Sequence, residues 1–375
     1  MVDIEAILIV GGGIAGLSLA SALRGSRFRT ELVEQRPSLD TDGTGISVQP
    51  NGMRVLRELG VAADVELAGA AFRRWSFIDR NGHKLSETNL DDVWDRLGAC
   101  IGIERRELHR ILVERSSETP RRLGVGVASL ERRGRRVVAG FNDGSHGEYD
   151  LVVAADGVSS TVRELVVGPS PPIYSGQMVW RSVSDMRPKS LDGIQFLLGE
   201  GRFFGLCPVG GGRTYGFGNV TMPRYREPLE GRLDGLRARF ADFGGGVPEY
   251  LESLTDDARV HCSAIEWLND PVWRAGPIVL IGDAAHAGSP MMGQGGSMAM
   301  EDAVVLAELL TSETDLDRAL GAFVARRAPR VDWVRAESRK ASESLELPAS
   351  VRDAFLREHG SRVLGQRYAP LIAKP

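Results

Sequence analysis

Short, unbroken apolar runs punctuate this chain, and each is followed at once by glycine or aspartate. Ile7-Leu8-Ile9-Val10, Leu151-Val152-Val153-Ala154-Ala155 and Ile278-Val279-Leu280-Ile281 lack the alternation of a half-solvated strand. They predict parallel strands buried on both faces. After the first, Gly11-Gly12-Gly13 turns the chain and Ile14 to Leu23 has helical composition. Thr30-Glu31-Leu32-Val33-Glu34 then reads as a returning strand, so the chain opens on a β-α-β unit.

Elsewhere the pattern changes period. Pro50 to Gly60 predicts a short helix, with Asn51 as cap and Gly60 as stop. Phe72 to His83 alternates like a hairpin around an Asn81-Gly82 turn. Glu104 to Arg115 is helical, and Arg121 to Tyr149 predicts short antiparallel strands with Asp143-Gly144 as a turn. From Gln177 to His261 strands dominate: Gln195–Leu198, Phe203–Pro208 and Tyr215–Val220, with Gly210-Gly211-Gly212 as a hairpin tip. Helix returns over Leu233–Leu254, broken by Gly244-Gly245-Gly246, and again over Gly295–Thr311. The remainder is helical and charged up to Pro370, and Arg326 to Lys340 reads as a solvated helix packing on the nucleotide-binding part rather than as an interaction tail.

The fold class is therefore α/β, a Rossmann-like nucleotide-binding domain interleaved with a β-sheet domain. The expected boundaries are 1–70, 99–168 and 270–322 for the first and 71–98 and 169–269 for the second. A C-terminal helical segment follows over 323–375.

Composition narrows the classes of function. A formal charge of −4 and short, interrupted basic pairs such as Arg105-Arg106 and Arg132-Arg133 exclude a phosphate-tracking stripe, so no nucleic acid is expected. Cys100, Cys207 and Cys262 are widely spaced and odd in number. They fit neither a disulfide framework nor a metal site, and a reducing cytoplasm is the expected setting. Asp3 and Glu5 stand where a secretory leader carries basic residues. The apolar run Ile7–Leu23 is interrupted by glycines near its start, so no membrane span is expected there.

The chemistry begins with Gly11-x-Gly13-x-x-Gly16, between a predicted strand and a predicted helix. Gly11 allows the tight turn, Gly13 lets backbone approach a pyrophosphate, and Gly16 permits close packing of helix on strand. The helix start, with Ile14 and Ala15 in its first turn, offers free N–H groups and partial positive charge to phosphates. Glu34 ends the second strand where an acid can bind ribose hydroxyls, with Gln35 and Arg36 beside it. Dinucleotide binding follows, and at this point both FAD and NAD(H) fit.

Two later segments separate them. Asp156-Gly157-Val158-Ser159-Ser160-x-Val162-Arg163 follows one buried strand. Gly282-Asp283-Ala284-Ala285-His286, then Pro290 and Gly293-Gln294-Gly295-Gly296, follow another. An aspartate at a strand's C-terminal end can accept hydrogen bonds from a ribityl chain or ribose. A glycine-rich helix start can turn N–H groups toward an anionic ring edge.

In this order the motifs resemble the class A FAD-dependent aromatic hydroxylases, the flavoprotein monooxygenase family of salicylate and p-hydroxybenzoate hydroxylases. The resemblance spans most of the chain. It includes Gly45-x-x-x-x-Pro50-Asn51, Ile103-x-Arg105-x-x-Leu108-x-x-x-Leu112 and Glu301-Asp302-Ala303. It implies that Glu34 holds the adenosine ribose, Arg105 contacts FAD from its helix, and Asp283 binds the ribityl or pyrophosphate region. Asp156 and Gly157 match the motif linked to both FAD and reduced nicotinamide. The implied reaction uses NADH or NADPH as a transient co-substrate. O2 then makes a C4a-hydroperoxyflavin that hydroxylates a small, electron-rich aromatic or heteroaromatic ring.

The resemblance further implies Pro290 at the reacting flavin edge, with the helix start after Gly293 near the N1–C2=O edge. Arg181, after Trp180, is a candidate clamp for a substrate carboxylate or ring oxygen, or else a member of a structural ion pair. Tyr215 is a candidate phenolate partner or a packing residue, and His286 a candidate base or a local hydrogen-bonding member of the Gly-Asp motif. Met291-Met292 suits a flexible apolar pocket. Arg163 reads either as a contact to a nicotinamide phosphate or as a surface ion pair. Two other readings stay open: an FAD-dependent oxygenase or epoxidase of a larger polyketide or alkaloid scaffold, and a non-catalytic FAD-bound sensor. A monomer or homodimer is expected, and no metal.

Overall fold

The computed structural model describes residues 4–40, 43–95 and 97–375, and is organised around two large sheets. Asp3 lies outside the described residues. The first sheet has six strands in the order Arg274–Ala275, Ile278–Leu280, Leu151–Ala154, Ala6–Val10, Arg29–Glu34 and Arg121–Leu123. Its three apolar runs lie side by side and parallel, with Ile7 opposite Leu151 and Val152 opposite Ile278. Alternate residues face opposite ways. Ile7, Ile9, Val153 and Val279 pack under helices, whereas Leu8, Val10, Val152 and Leu280 pack under a small antiparallel sheet spanning 127–149. Burial on both faces is why the runs carry no polar alternation. Arg121–Leu123 departs from the antiparallel expectation. It pairs in parallel with Leu32–Glu34 as the sheet's edge, and the antiparallel set begins only at Val127.

The second sheet has seven strands in the order His261–Trp267, Ile173–Ser184, Arg213–Thr221, Arg202–Val209, Ile194–Leu198, Arg74–Asp79 and Lys84–Asn89. Its back face carries Met178, Trp180, Leu197, Phe204 and Leu206 against the helices Arg232–Arg239 and Val247–Glu252. Arg181, Tyr215, Phe217, Phe196, Phe203 and Phe77 occupy the other, front face by the same alternation. This face turns toward Met291, Met292 and Tyr368.

Helix Gly295–Ser312 packs on helices Ile14–Ala22 and Pro50–Glu58. The long helix Leu316–Ser344 and the helix Ala349–Tyr368 follow it. Two expectations are corrected here. Asn51 does not cap the helix it opens: Gln49 holds the cap position, and the Asn51 amide is buried, donating to Gln294 Oε1 (2.9 Å) and Glu301 Oε1 (3.0 Å). The charged stretch from Arg326 to Lys340 does pack on the first domain as expected, but it is not solvated throughout. Arg327 is fully buried, 2.8 Å from both Glu301 and Asp302, and Arg330 forks onto Glu301. Among the described residues, no helix is long and apolar enough to cross a membrane.

Burial alone would push Glu301 and Asp302 upward, but Arg327, Arg330 and His286 outweigh it and hold both below their usual range. Depressed carboxylates stabilise the fold above their unfolded values, and that stabilisation is lost as pH falls through the folded ones. Arg327→Met leaves two buried carboxylates short of a partner. It should lower the unfolding free energy by about 3–5 kcal/mol in urea titrations near neutral pH. The deficit should shrink as pH falls toward and through the ordinary carboxylate range, because without Arg327 burial raises both groups and their protonation relieves the unpaired charge.

Candidate functional site

Two helix N-termini converge where the first sheet meets the Gly282 turn. Gly11 has φ +110°, and a methyl group there would collide with the Ala155 carbonyl. One on Gly16 would strike the Gly11 carbonyl, so only glycine lets the helix seat on its strand. Gly13, at the cap position, faces open space, and neither a capping side chain nor an acid serves the first turn. Glu34 is buried and braces the turn: the N–H groups of Gly12 and Arg36 donate to its two oxygens at 2.7 and 2.9 Å. Gln35 and Arg36 are exposed beside it, and the Arg36 guanidinium folds back onto Glu34 at 3.3 Å.

His109 was not foreseen. Its Nε2–H donates to the Gly12 carbonyl at 2.7 Å from inside helix Arg105–Arg115, and burial lowers its pKa, keeping the ring neutral. Histidine inside an amphipathic helix carries no local signal of this partner, 97 residues away.

Helix Gly295–Ser312 mirrors the first. Its cap residue, Gln294, turns its side chain inward to Gln49 and Asn51, and its first turn also lacks an acid. Gly293 and Gly295 are exposed, Gly296 is half-buried, and Gly295 faces open space. Gly282 wedges between Ala15 and Ala299, which brings the two helix starts together. Asp283 is exposed on the short helix that follows.

Asp156 accepts from the Val162 N–H at 3.1 Å through Oδ2, while Oδ1 is buried without a hydrogen-bond partner. Burial raises its pKa. Gly157 beside it faces open space. A polar ligand at Asp156 would satisfy this orphaned atom. Two uncapped helix starts, open glycines and an unsatisfied carboxyl oxygen form a cradle that fits a dinucleotide with an anionic middle.

The Pro290–Met292 turn is pinned from several sides. The Met292 carbonyl accepts from Gln49 Nε2 (3.0 Å) and Tyr368 Oη (2.9 Å), and Ser289 meets Ser342 at 2.8 Å. Pro290 itself stays exposed. Gln49, Tyr368 and Ser342 act through contacts distant in sequence, which motif reading passed over.

On the front face of the second sheet, Arg181 donates to Ser263 Oγ at 2.7 Å, and its Nε is buried without a hydrogen-bond partner. Its charge and that of Arg105, exposed on its helix, bear on the Tyr215 phenol. Burial dominates and pushes that phenol up to about 12, so Tyr215 is a neutral donor in ordinary buffers, not a phenolate. Gly45 lies directly against the Tyr215 ring and admits no side chain.

Other candidates move away from the chemistry. Trp180 is fully buried on the back face, donating to Glu227, with Arg239 stacked 4.5 Å over its ring. His286 is 5% exposed, with Nε2 at 2.7 Å from Asp302, so its ring nitrogen is committed to the buried ion network rather than free as a base. Arg163 is buried and donates to the carbonyls of Ala284, Val158 and Ser170, tying the Asp156 loop to the Gly282 loop. It is neither a surface ion pair nor a phosphate hand.

Comparison with known proteins agrees with this geometry. The family described as FAD binding domain matches residues 4–231 and 267–337. The chain is 34% identical to aurachin C monooxygenase/isomerase of Stigmatella aurantiaca, over 87% of this chain and 86% of that protein. It is 30% identical to an FAD-dependent urate hydroxylase of Klebsiella pneumoniae, over 98% and 99%. The structure of Klebsiella pneumoniae HpxO complexed with FAD and uric acid superposes with a TM-score of 0.91 at 29% identity, covering 99% of this chain and 97% of that one. With fingerprint, paired helix starts and front-face sheet all present, the chain belongs to the FAD-dependent aromatic hydroxylase family of flavoprotein monooxygenases.

Proposed function

We propose that this FAD-dependent monooxygenase hydroxylates an electron-rich aromatic or heteroaromatic ring held between Arg181, Tyr215 and the Pro290–Met292 turn. The observation that carries the reading is Arg181. A half-buried guanidinium with one N–H left without an acceptor, beside a neutral phenol, suits an anionic or carbonyl oxygen on a planar ring. Relatives named for urate and for aurachin C support a ring substrate.

When bound, FAD supplies electron transfer from NADH or NADPH and the activation of O2 for insertion of one oxygen atom. The chain's own residues position and bind. Gly11, Gly13, Ile14, Ala15 and Gly16 present backbone to the pyrophosphate, while Glu34, Gln35 and Arg36 surround the adenosine ribose. Gly45, Arg105, Asp156, Gly157, Gly282 and Asp283 line the rest of the cofactor's path. The helix start at Gly293, Gly295 and Gly296 directs partial positive charge at the ring system, where negative charge is best stabilised. Pro290 presents a side without an N–H to the reacting region.

Arg181 orients the substrate, and Tyr215 donates a hydrogen bond to its oxygen. The pinned turn and apolar sheet face keep water from that region. The protein is taken to act in the cytoplasm as a monomer or homodimer, in keeping with three unpaired cysteines.

Oxidation of NADH and NADPH, followed with and without a panel of hydroxylated aromatic acids and heteroaromatics, tests the reading. One ring should stimulate oxidation and emerge heavier by one oxygen atom, whereas indifference to every ring would overturn it. Glu34→Ala should weaken FAD retention by about 10- to 100-fold in flavin fluorescence titrations, through lost hydrogen bonds to the turn and ribose. Arg181→Met should raise KM for an anionic ring by about 10-fold or more while FAD content stays unchanged. Tyr215→Phe should lower the rate without reshaping its profile between about pH 6 and pH 10, because a phenol near 12 does not titrate there.

A further inference from the structure

A cavity of about 250 Å³ lies between the front face of the second sheet and the two C-terminal helices. Its walls are Trp75, Phe77, Phe196 and Phe203 from the sheet and Leu345, Leu356 and Leu364 from the helices. Met291, next to Pro290, also lines it. On that side Met291 adjoins the Pro290 turn, and ring contacts run from the cavity wall to the proposed reaction site. Tyr215 meets Phe217 at 5.0 Å between centroids, Phe217 meets Phe196 at 5.6 Å, and Phe196 stacks on Trp75 at 4.8 Å. Toward solvent, Leu347, Val351 and Phe355 form a lip of exposed apolar side chains.

The polar groups in the wall are almost all spent. Arg352 is buried and donates to Asp353, Leu198 and Gly199, Arg367 to Glu337, Ser344 to the Ala341 carbonyl, and Tyr368 to Met292. Among the buried atoms of the wall, one donor has no partner, the indole N–H of Trp75. A small polar ring such as a purine would leave its own donors and acceptors unpaired here, at a cost of several kcal/mol on the scale of buried polar groups. An apolar body carrying at most one acceptor would not.

We propose that the cavity receives an apolar, alkyl-like extension borne by the ring that Arg181 and Tyr215 hold. This rests on the ring-hydroxylation reading and narrows its substrate to amphipathic molecules, a polar ring with a hydrophobic tail. At roughly 30 Å³ for each water-sized group, the volume takes on the order of eight carbon atoms. The lip provides the route by which a longer chain leaves toward solvent.

The test uses the FAD-loaded protein with resorcinol, 4-ethylresorcinol and 4-hexylresorcinol, reading affinity by tryptophan quenching and turnover by NADH and NADPH oxidation. Affinity should rise by at least about tenfold from ethyl to hexyl, since each buried methylene contributes to transfer. Ala341→Phe, which fills the cavity from its helix side, should erase that gain. Val351→Asp, on the exposed lip where folding is not at stake, should reduce it.

Affinity independent of chain length, or a gain that survives Ala341→Phe, overturns the proposal. Chain-dependent binding without stimulated oxidation by any ring would leave the cavity assignment standing and sink the hydroxylation reading. Turnover of resorcinol and hexylresorcinol with equal affinity would do the reverse.

Discussion

A single buried arginine fixes one half of the cofactor cradle, the Gly282 turn and the helix start at Gly295. Arg327 reaches from the long C-terminal helix into helix Gly295–Ser312 and pairs with Glu301 and Asp302, neither of which touches water. Asp302 then accepts from the Gly282 N–H at 2.9 Å and holds His286, while Glu301 holds Asn51. The Gly282 turn, the start of helix Gly295–Ser312 and the helix after Pro50 are thus all indexed to one set of charges. Such a cluster is expensive to bury and tolerates no missing member. That intolerance suits a site where two helix starts must point at one ligand.

From this fixed frame the chemistry divides between two surfaces. The first sheet and its helix starts supply backbone N–H groups and open glycines, which are insensitive to pH. The second sheet supplies side chains, and its alternation separates their roles. Arg181 and Tyr215 lie on its front face, whereas Trp180, adjacent in sequence, lies on the back in one core with Phe204 and Phe240. The Pro290–Met292 turn lies between the two surfaces, tied to Gln49 on one side and Tyr368 on the other. The C-terminal helix therefore belongs to the site as well as to the fold.

The parts of this arrangement legible in the chain are those written locally. Three apolar runs ending in glycine or aspartate announced the central strands, and the spacing of Gly11, Gly13 and Gly16 with Glu34 announced the cradle. Groups whose partners lie far away were misread. Asn51 beside a proline looks like a cap, yet its partners are 243 and 250 residues distant. Arg327 sits in a stretch so charged that burial leaves no trace in the pattern. Arg163 has the composition of chemistry, but its nitrogens serve the loops around it, whereas His286 takes the local hydrogen-bonding role its motif allows rather than that of a base. Arg121–Leu123 is too short for periodicity to say which sheet it joins.

Turnover of the stimulating ring substrate under isotopically labelled dioxygen tests the central claim most directly. A monooxygenase built on this cradle should place one labelled oxygen atom in each product molecule and the other in water. Product without label, with all labelled oxygen recovered as hydrogen peroxide, would contradict the account, because the protein would then reduce O2 without delivering it to the ring.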